Sequence, residues 1–388
     1  MEAAPALPKI LVMGWGIVSK SRGHAVALLV TVILAAGAFA PAQAAVVSET
    51  PTRGWGVNGR VYTTKIVDGT VYVGGQFSQA ISATGQTVAR RNLAAFNLSD
   101  GSLVTDWRAD AGSVVYTLDS DGTALYAGGN FSTIGGVTRR RVARLNLNTG
   151  NVQGGFNASV SGGPVRALDV ADDAVYIGGS FSQVNGAGRN FLAKLDAADG
   201  SSVAGFTGQP NAMVRALRMS PTAPMLYIAG DFTAVSGSSR IGVGGVSSDT
   251  GRASGPALQY TTAKQYTVDV STDGSQVFSG ADSNAVTAWR TSNGTRQWRD
   301  WTDGNVQAVK YQDGTLYFGF HDGMNLDTSV KLLAINASNG VLDDTFRPVI
   351  RQFWGVFTID ATATAVVAAG EFTSANGVRA QNLARFLP

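Results

Sequence analysis

Seven copies of one glycine-rich strand, hairpin turns at matching places around each copy, and a half-repeat left over at either end predict an all-β fold. The architecture they predict is a seven-bladed β-propeller of four-stranded antiparallel blades, its ring closed by the N-terminal strand completing the last blade. The strand reads aliphatic-Tyr-x-Gly-Gly-x-Phe at 71–77, 125–131 and 175–181, with looser copies at 226–232, 277–283, 316–322 and 366–372. A period of about 40 to 55 residues built from β-prone segments is that of a propeller or a solenoid.

The turns decide between them. A first strand, such as 61–66, ends in Asp68-Gly69, and its counterparts end at Asp121-Gly122, Asp172-Asp173, Asp273-Gly274 and Asp313-Gly314. These pairs supply the positive φ that a tight hairpin needs. The glycine-rich strand follows, then a longer polar loop, then a third strand such as 142–147. Another tight turn holds Gly101, Gly150, Gly200, Gly251, Gly294 or Gly340. A fourth strand is expected next, with an aromatic at Trp107, Phe156, Phe206 or Phe346. Hairpins throughout describe a blade and not a parallel coil.

The last repeat stops after its third strand, 383–387, and the segment ending at Trp55 resembles the fourth-strand segment ending at Trp107. Residues near 47–55 are therefore expected to complete the last blade, which removes two exposed sheet edges. Residues 1–44 read as a secretory signal peptide, with a basic stretch at 20–24, an apolar run at 25–40 and a small-x-small site at 42–44. An uncleaved leader would be the one membrane attachment. Residues 45–388 are expected to form a single propeller domain, monomeric, in the extracellular space or the cell envelope.

Composition narrows the function classes. The net charge is +3, and Lys9, Lys20 and Arg22 against Glu2 place most of it in the leader. A near-neutral body argues against nucleic acid as a partner. With 0 cysteines there is no disulfide or thiolate metal site, and His321 is the one histidine beyond the leader, which excludes a multi-histidine zinc centre and most His-based triads. No phosphate loop or nucleophile elbow appears. The loop arginines Arg91, Arg139, Arg189, Arg240 and Arg379 recur a little before the third strand in five repeats and are expected to tie each loop to its own or the adjacent blade through backbone carbonyls or a carboxylate.

The Gly-Gly-x-Phe-Ser/Thr strand, the loop arginine and the Leu/Ala-Arg-Leu-Asn strand together resemble the delta-sixty repeat family of secreted bacterial β-propellers. The resemblance covers the chain after the leader and implies an extracellular propeller of largely unassigned role. The stretches 195–200 and 334–340 are also similar to the turn repeat of quinoprotein propellers. That likeness extends to blade grammar only, so no quinone cofactor is expected.

One position inside the repeated strand is polar in all seven copies while its type changes: Gln76, Asn130, Ser180, Asp231, Asp282, His321 and Glu371. Strand direction places this column beside the long loops, on the chemically varied face. Repeats five and six depart from the pattern there, and Asp231, Asp282, His321, Asp322 and Glu371 form the candidate binding notch. Several carboxylates beside one imidazole leave room for a cation or a sugar. The expected role is a binding or scaffold module for an extracellular protein or glycan. One alternative is a glycan-active hydrolase or lyase with Asp282 and Glu371 as acid and base at the channel mouth. Another is a structural envelope protein.

Overall fold

The computed structural model describes residues 47–388 apart from residue 263, so the leader expected at 1–44 lies outside the described residues. Among the described residues every regular element is a strand, and no helix is long and apolar enough to cross a membrane. Seven antiparallel sheets follow one another, each built on one copy of the repeat. Their first strands are Arg60–Val67, Val115–Ser120, Val165–Ala171, Val214–Met219, Gln265–Val270, Val306–Gln312 and Gly355–Thr362. The glycine-rich strand is central in each sheet and pairs with the first strand on one side and the third on the other.

The turn chemistry does what the residues dictate. Asp68-Gly69, Asp172-Asp173 and Asp313-Gly314 have both central residues at positive φ, the twist-matched geometry of a two-residue hairpin. The six turn glycines from Gly101 to Gly340 are likewise left-handed, with φ between 69 and 80°.

Apolar layers lie between neighbouring sheets. Tyr72, Leu93 and Ala95 of the first sheet meet Val115, Leu118 and Leu125 of the second, and Val71 and Ala94 of the first meet Val367 and Leu383 of the seventh. The first glycine of the repeat exists for this contact. A Cβ on Gly74 would stand 2.7 Å from Val115 of the next sheet, and one on Gly178 would stand 2.6 Å from Val214. The repeat tyrosine also reaches across: the Tyr72 hydroxyl donates to the Leu147 carbonyl at 2.7 Å, and the Tyr176 hydroxyl to Ser248 at 3.1 Å. A buried phenol needs such a partner.

The four-stranded blade holds for one sheet only. The fifth has a full fourth strand, Arg296–Trp301. Elsewhere the fourth segment makes one bridge, such as Phe96 to Leu103 or Leu145 to Val152, and then turns away. Its aromatic turns inward instead: Trp107, Phe156, Phe206 and Phe346 meet the repeat tyrosine edge-on with ring centroids 5.3 to 5.8 Å apart. Burying one large ring against the neighbouring sheet replaces the ladder that a longer strand would offer. The N-terminal segment behaves like one of these segments. Thr52 bridges Arg385 of the last sheet, donating its N–H to the Arg385 carbonyl at 2.9 Å, as Val104 does to Ala95. Val47 is buried among Phe346, Ile350 and Phe386.

Of the recurrent loop arginines, Arg139, Arg240 and Arg379 bond backbone carbonyls, whereas the side chains of Arg91 and Arg189 do not. Arg90, and not Arg91, matches Arg139 and Arg240: each donates to the carbonyl before it and to one fifteen residues on. Arg379 also lies one residue off this register and contacts the Ala83 carbonyl at 3.5 Å.

Candidate functional site

Every first strand carries a β-bulge at the same place, between Val61 and Thr63, Val115 and Thr117, Val165 and Ala167, and so on to Val356 and Thr358. The remaining three fall between Val214 and Ala216, Gln265 and Thr267, and Val306 and Ala308. A bulge gives one extra residue a side chain aimed off the regular alternation. The extra residues are Tyr62, Tyr116, Arg166, Arg215, Tyr266, Gln307 and Phe357, and all seven line one cavity of about 210 Å³. With Arg60 and Trp354 they also line a cup of about 290 Å³ at its mouth. This mouth lies at the end of the sheets where the repeat strand gives way to the long loops, since Arg60 pairs with Gln76.

The cup is aromatic and cationic. Tyr62 stacks on Phe357 with centroids 5.8 Å apart and tilts against Tyr116 at 5.4 Å. Arg166 lies over the Tyr116 ring at 4.0 Å, Arg215 over Tyr266 at 5.1 Å, and Arg60 over Trp354 at 5.7 Å. Trp354 remains 39% exposed and its neighbour Phe353 58%, so the rim presents aromatic surface to solvent.

The residues singled out in the sequence stand around this mouth, each with its own partner. Asp231 accepts a two-pronged pair from Arg215 at 2.8 and 2.9 Å. Glu371 accepts from Arg60 at 2.6 Å, a contact between the seventh and first sheets, and Asp282 lies 3.8 Å from Lys264. His321 is buried: its Nε2 accepts from the Asn305 N–H at 3.2 Å, and its Nδ1 lies 2.9 Å from Asp322 Oδ2. Its ring touches Phe353 and Trp354, with centroids 5.6 and 5.7 Å away. Among the described residues no three His, Asp or Glu side chains gather as metal ligands would. Asp231 and Glu371 thus fix two arginines of the cup, Asp282 pairs with Lys264, and His321, held by Asp322, props the aromatic rim.

Toward the tight-turn end the same strands carry a second ring that sequence reading passed over. One position is charged in all seven: Lys65, Asp119, Asp169, Arg218, Asp269, Lys310 and Asp360. Lys65 pairs with Asp119 at 2.6 Å, Arg218 with Asp269 at 2.9 Å and with Asp169 at 3.6 Å, and Lys310 with Asp360 at 2.9 Å. Each aspartate also accepts a backbone N–H from the next sheet: Val170, Met219, Tyr311 and, from the seventh sheet to the first, Ile66. Placement tunes these acids in opposite directions. Burial and the neighbouring Asp119 push Asp169 up to about 7. Burial would raise Asp360 as well, but Lys310 and Lys65 overcome it and hold it below the usual carboxylate range. A polar cavity of about 550 Å³ opens at this end, lined by Lys65, Asp119, Asp169 and Arg218.

Three comparisons bear on this geometry. Residues 118–151, 171–202 and 366–388 match the model of a family described as a β-propeller domain of unknown function. Those stretches are similar to a β-propeller family, as the delta-sixty resemblance implied. No curated protein matches the chain. Among solved structures, the crystal structure of the computationally designed Ika8 protein is similar in fold, with a TM-score of 0.51 at 14% identity over 88% of this chain and 100% of that one.

Proposed function

We propose that the protein is a secreted, seven-bladed β-propeller binding module that takes an extracellular protein or glycan at the mouth on its loop-rich face. Each sheet is one blade, and residues 47–57 close the ring by standing in for the missing fourth segment of the last blade. The Thr52 bridge to Arg385, the burial of Val47 and the Glu371–Arg60 pair between last and first sheets support this closure. Loss of residues 45–56 should lower the melting temperature sharply, and an unchanged value would sink the closure.

The observation that carries the functional reading is the row of seven bulges. A bulge interrupts pairing, and one repeated in every blade sets seven large side chains around one opening. Aromatic faces with fixed donors are what a ligand site requires, and rigid strands hold them in place. Asp231 and Glu371 serve this site as supports of Arg215 and Arg60, and His321 with Asp322 supports the aromatic rim, while Asp282 pairs with Lys264 outside the cup. A glycan array and an extracellular pull-down, run on wild type and on a Tyr266→Ala plus Phe357→Ala variant, test the reading. Loss of binding with an unchanged melting curve is expected. Full retention by the double variant would place the ligand elsewhere.

A further inference from the structure

Two polar atoms in the mouth are buried without a hydrogen-bond partner, Arg166 Nε and Gln307 Oε1. Both side chains line the cup. Burying an unsatisfied polar atom costs about 1 to 3 kcal/mol, and such atoms call for a specific account. Charge gives a second, independent pointer. Arg60 and Arg215 are each neutralised by a carboxylate, whereas Arg166 has only the Tyr116 ring and no carboxylate partner among the described residues. The cup therefore holds one surplus positive charge and one free acceptor between aromatic faces.

Resting on the mouth reading above, we propose that the group recognised there is a carboxylate-bearing sugar, a uronate at the end of an acidic glycan chain. Its carboxylate takes the two-pronged face of the Arg166 guanidinium, the geometry that arginine and not lysine offers. Gln307 turns its buried Oε1 toward the cup to accept from a ring hydroxyl. The apolar face of the sugar lies on an aromatic side chain such as Tyr266, and Trp354 covers it from the rim. A single monoanion balances the single surplus cation, whereas a dianion would leave charge uncompensated in a partly buried site. The cup of about 290 Å³ lies at the small end of ligand sites and narrows into the channel, so it admits one terminal residue and not a stretch of polymer.

Calorimetric titration with tri-galacturonate, its methyl ester and a sulfated galactose trisaccharide tests this on wild type, Arg166→Gln and Arg166→Lys. Wild type should bind the acid and lose about tenfold or more with the ester, which is the size of one charge-assisted contact. Arg166→Gln should bind acid and ester alike, and Arg166→Lys should recover only part of the difference. If acid and ester bind wild type equally and Arg166→Gln changes nothing, the uronate assignment is overturned. The mouth reading still stands in that case if Tyr266→Ala plus Phe357→Ala abolishes both. Tighter binding of the sulfated sugar, or no binding of any of the three by wild type, also overturns the assignment. The pull-down with the double variant then judges the mouth reading separately.

Discussion

The two ends of the seven first strands carry rings of the same size and opposite character. Near the tight turns, all four aspartates of the charged ring, Asp119, Asp169, Asp269 and Asp360, have both a cation and a backbone N–H from a neighbouring sheet. Near the long loops, the bulge residues leave Arg166 Nε and Gln307 Oε1 with nothing to bond. Equivalent positions in a repeat fold share their surroundings, so a ring that satisfies itself is joinery. A ring that does not, although the same scaffold could have filled it with apolar side chains, points outward to a ligand.

The largest effect expected from this contrast falls on the ring that satisfies itself. Asp360 holds the Ile66 N–H and Lys310 at the junction of the last and first sheets. Asp360→Ala leaves both without a partner in a buried setting, and removing one member of a buried pair costs about 3 to 5 kcal/mol. Chemical denaturation should show this loss while the folded protein binds as wild type does. A loss under about 1 kcal/mol would mean that the ring is ornamental and the comparison is wrong.

The next effect separates two acids within that ring. Asp169 has a folded pKa above its unfolded value, so its contribution is fully present below about pH 4 and is lost as pH rises toward 7. Asp360, held low by two lysines, contributes in the opposite sense, above the unfolded value and less as pH falls. Asp169→Asn still accepts from the Met219 N–H but cannot ionise. Its melting temperature relative to wild type should therefore rise between pH 4 and pH 8. A difference that stays constant across that range would show that Asp119 does not burden its neighbour.

A smaller effect is expected at the seam between sheets. The hydroxyl of Tyr72 is bonded to Leu147, and Tyr72→Phe should cost about 1 kcal/mol, the net value of one such bond. A neutral result in thermal melts would leave the ring contact of Tyr72 with Trp107 as the whole reason for the tyrosine.

Much of this was written plainly in the chain. The repeat strand, the hairpin pairs and the turn glycines each have one physical purpose, and each appears where that purpose places it. The length of the fourth strand is not legible in this way, because Trp107 and its equivalents spend the segment on a buried ring and not on a ladder. The register of the loop arginine in the first repeat is not legible either, because Arg90 and Arg91 are adjacent and only the carbonyl geometry distinguishes them. The charged ring had a signal, seven ionisable residues at one place in seven strands, but the sign changes from Lys65 to Asp119 hid it from a search for like residues. The bulge ring had none, because alternation along a strand does not reveal where one residue is extra. Asp231 and Glu371 stood out for their polarity, and the arginines they hold can be named only once strands from different repeats are side by side.

The smallest effect on stability is expected at Arg166, and its smallness is the point. Arg166→Met keeps most of the side chain's length and its contact with Tyr116, and removes a buried donor that has no partner. Losing the cation–π contact costs about 0.5 to 2 kcal/mol, and relieving the unsatisfied nitrogen returns a similar amount. The unfolding free energy should therefore stay within about 1 kcal/mol of wild type or rise, while uronate binding disappears. Sites that bind are tuned at some expense to stability, so a substitution that abolishes binding without weakening the fold marks them. A drop of more than about 2 kcal/mol would instead place Arg166 with the aspartates at the other end, as a residue that holds the ring together.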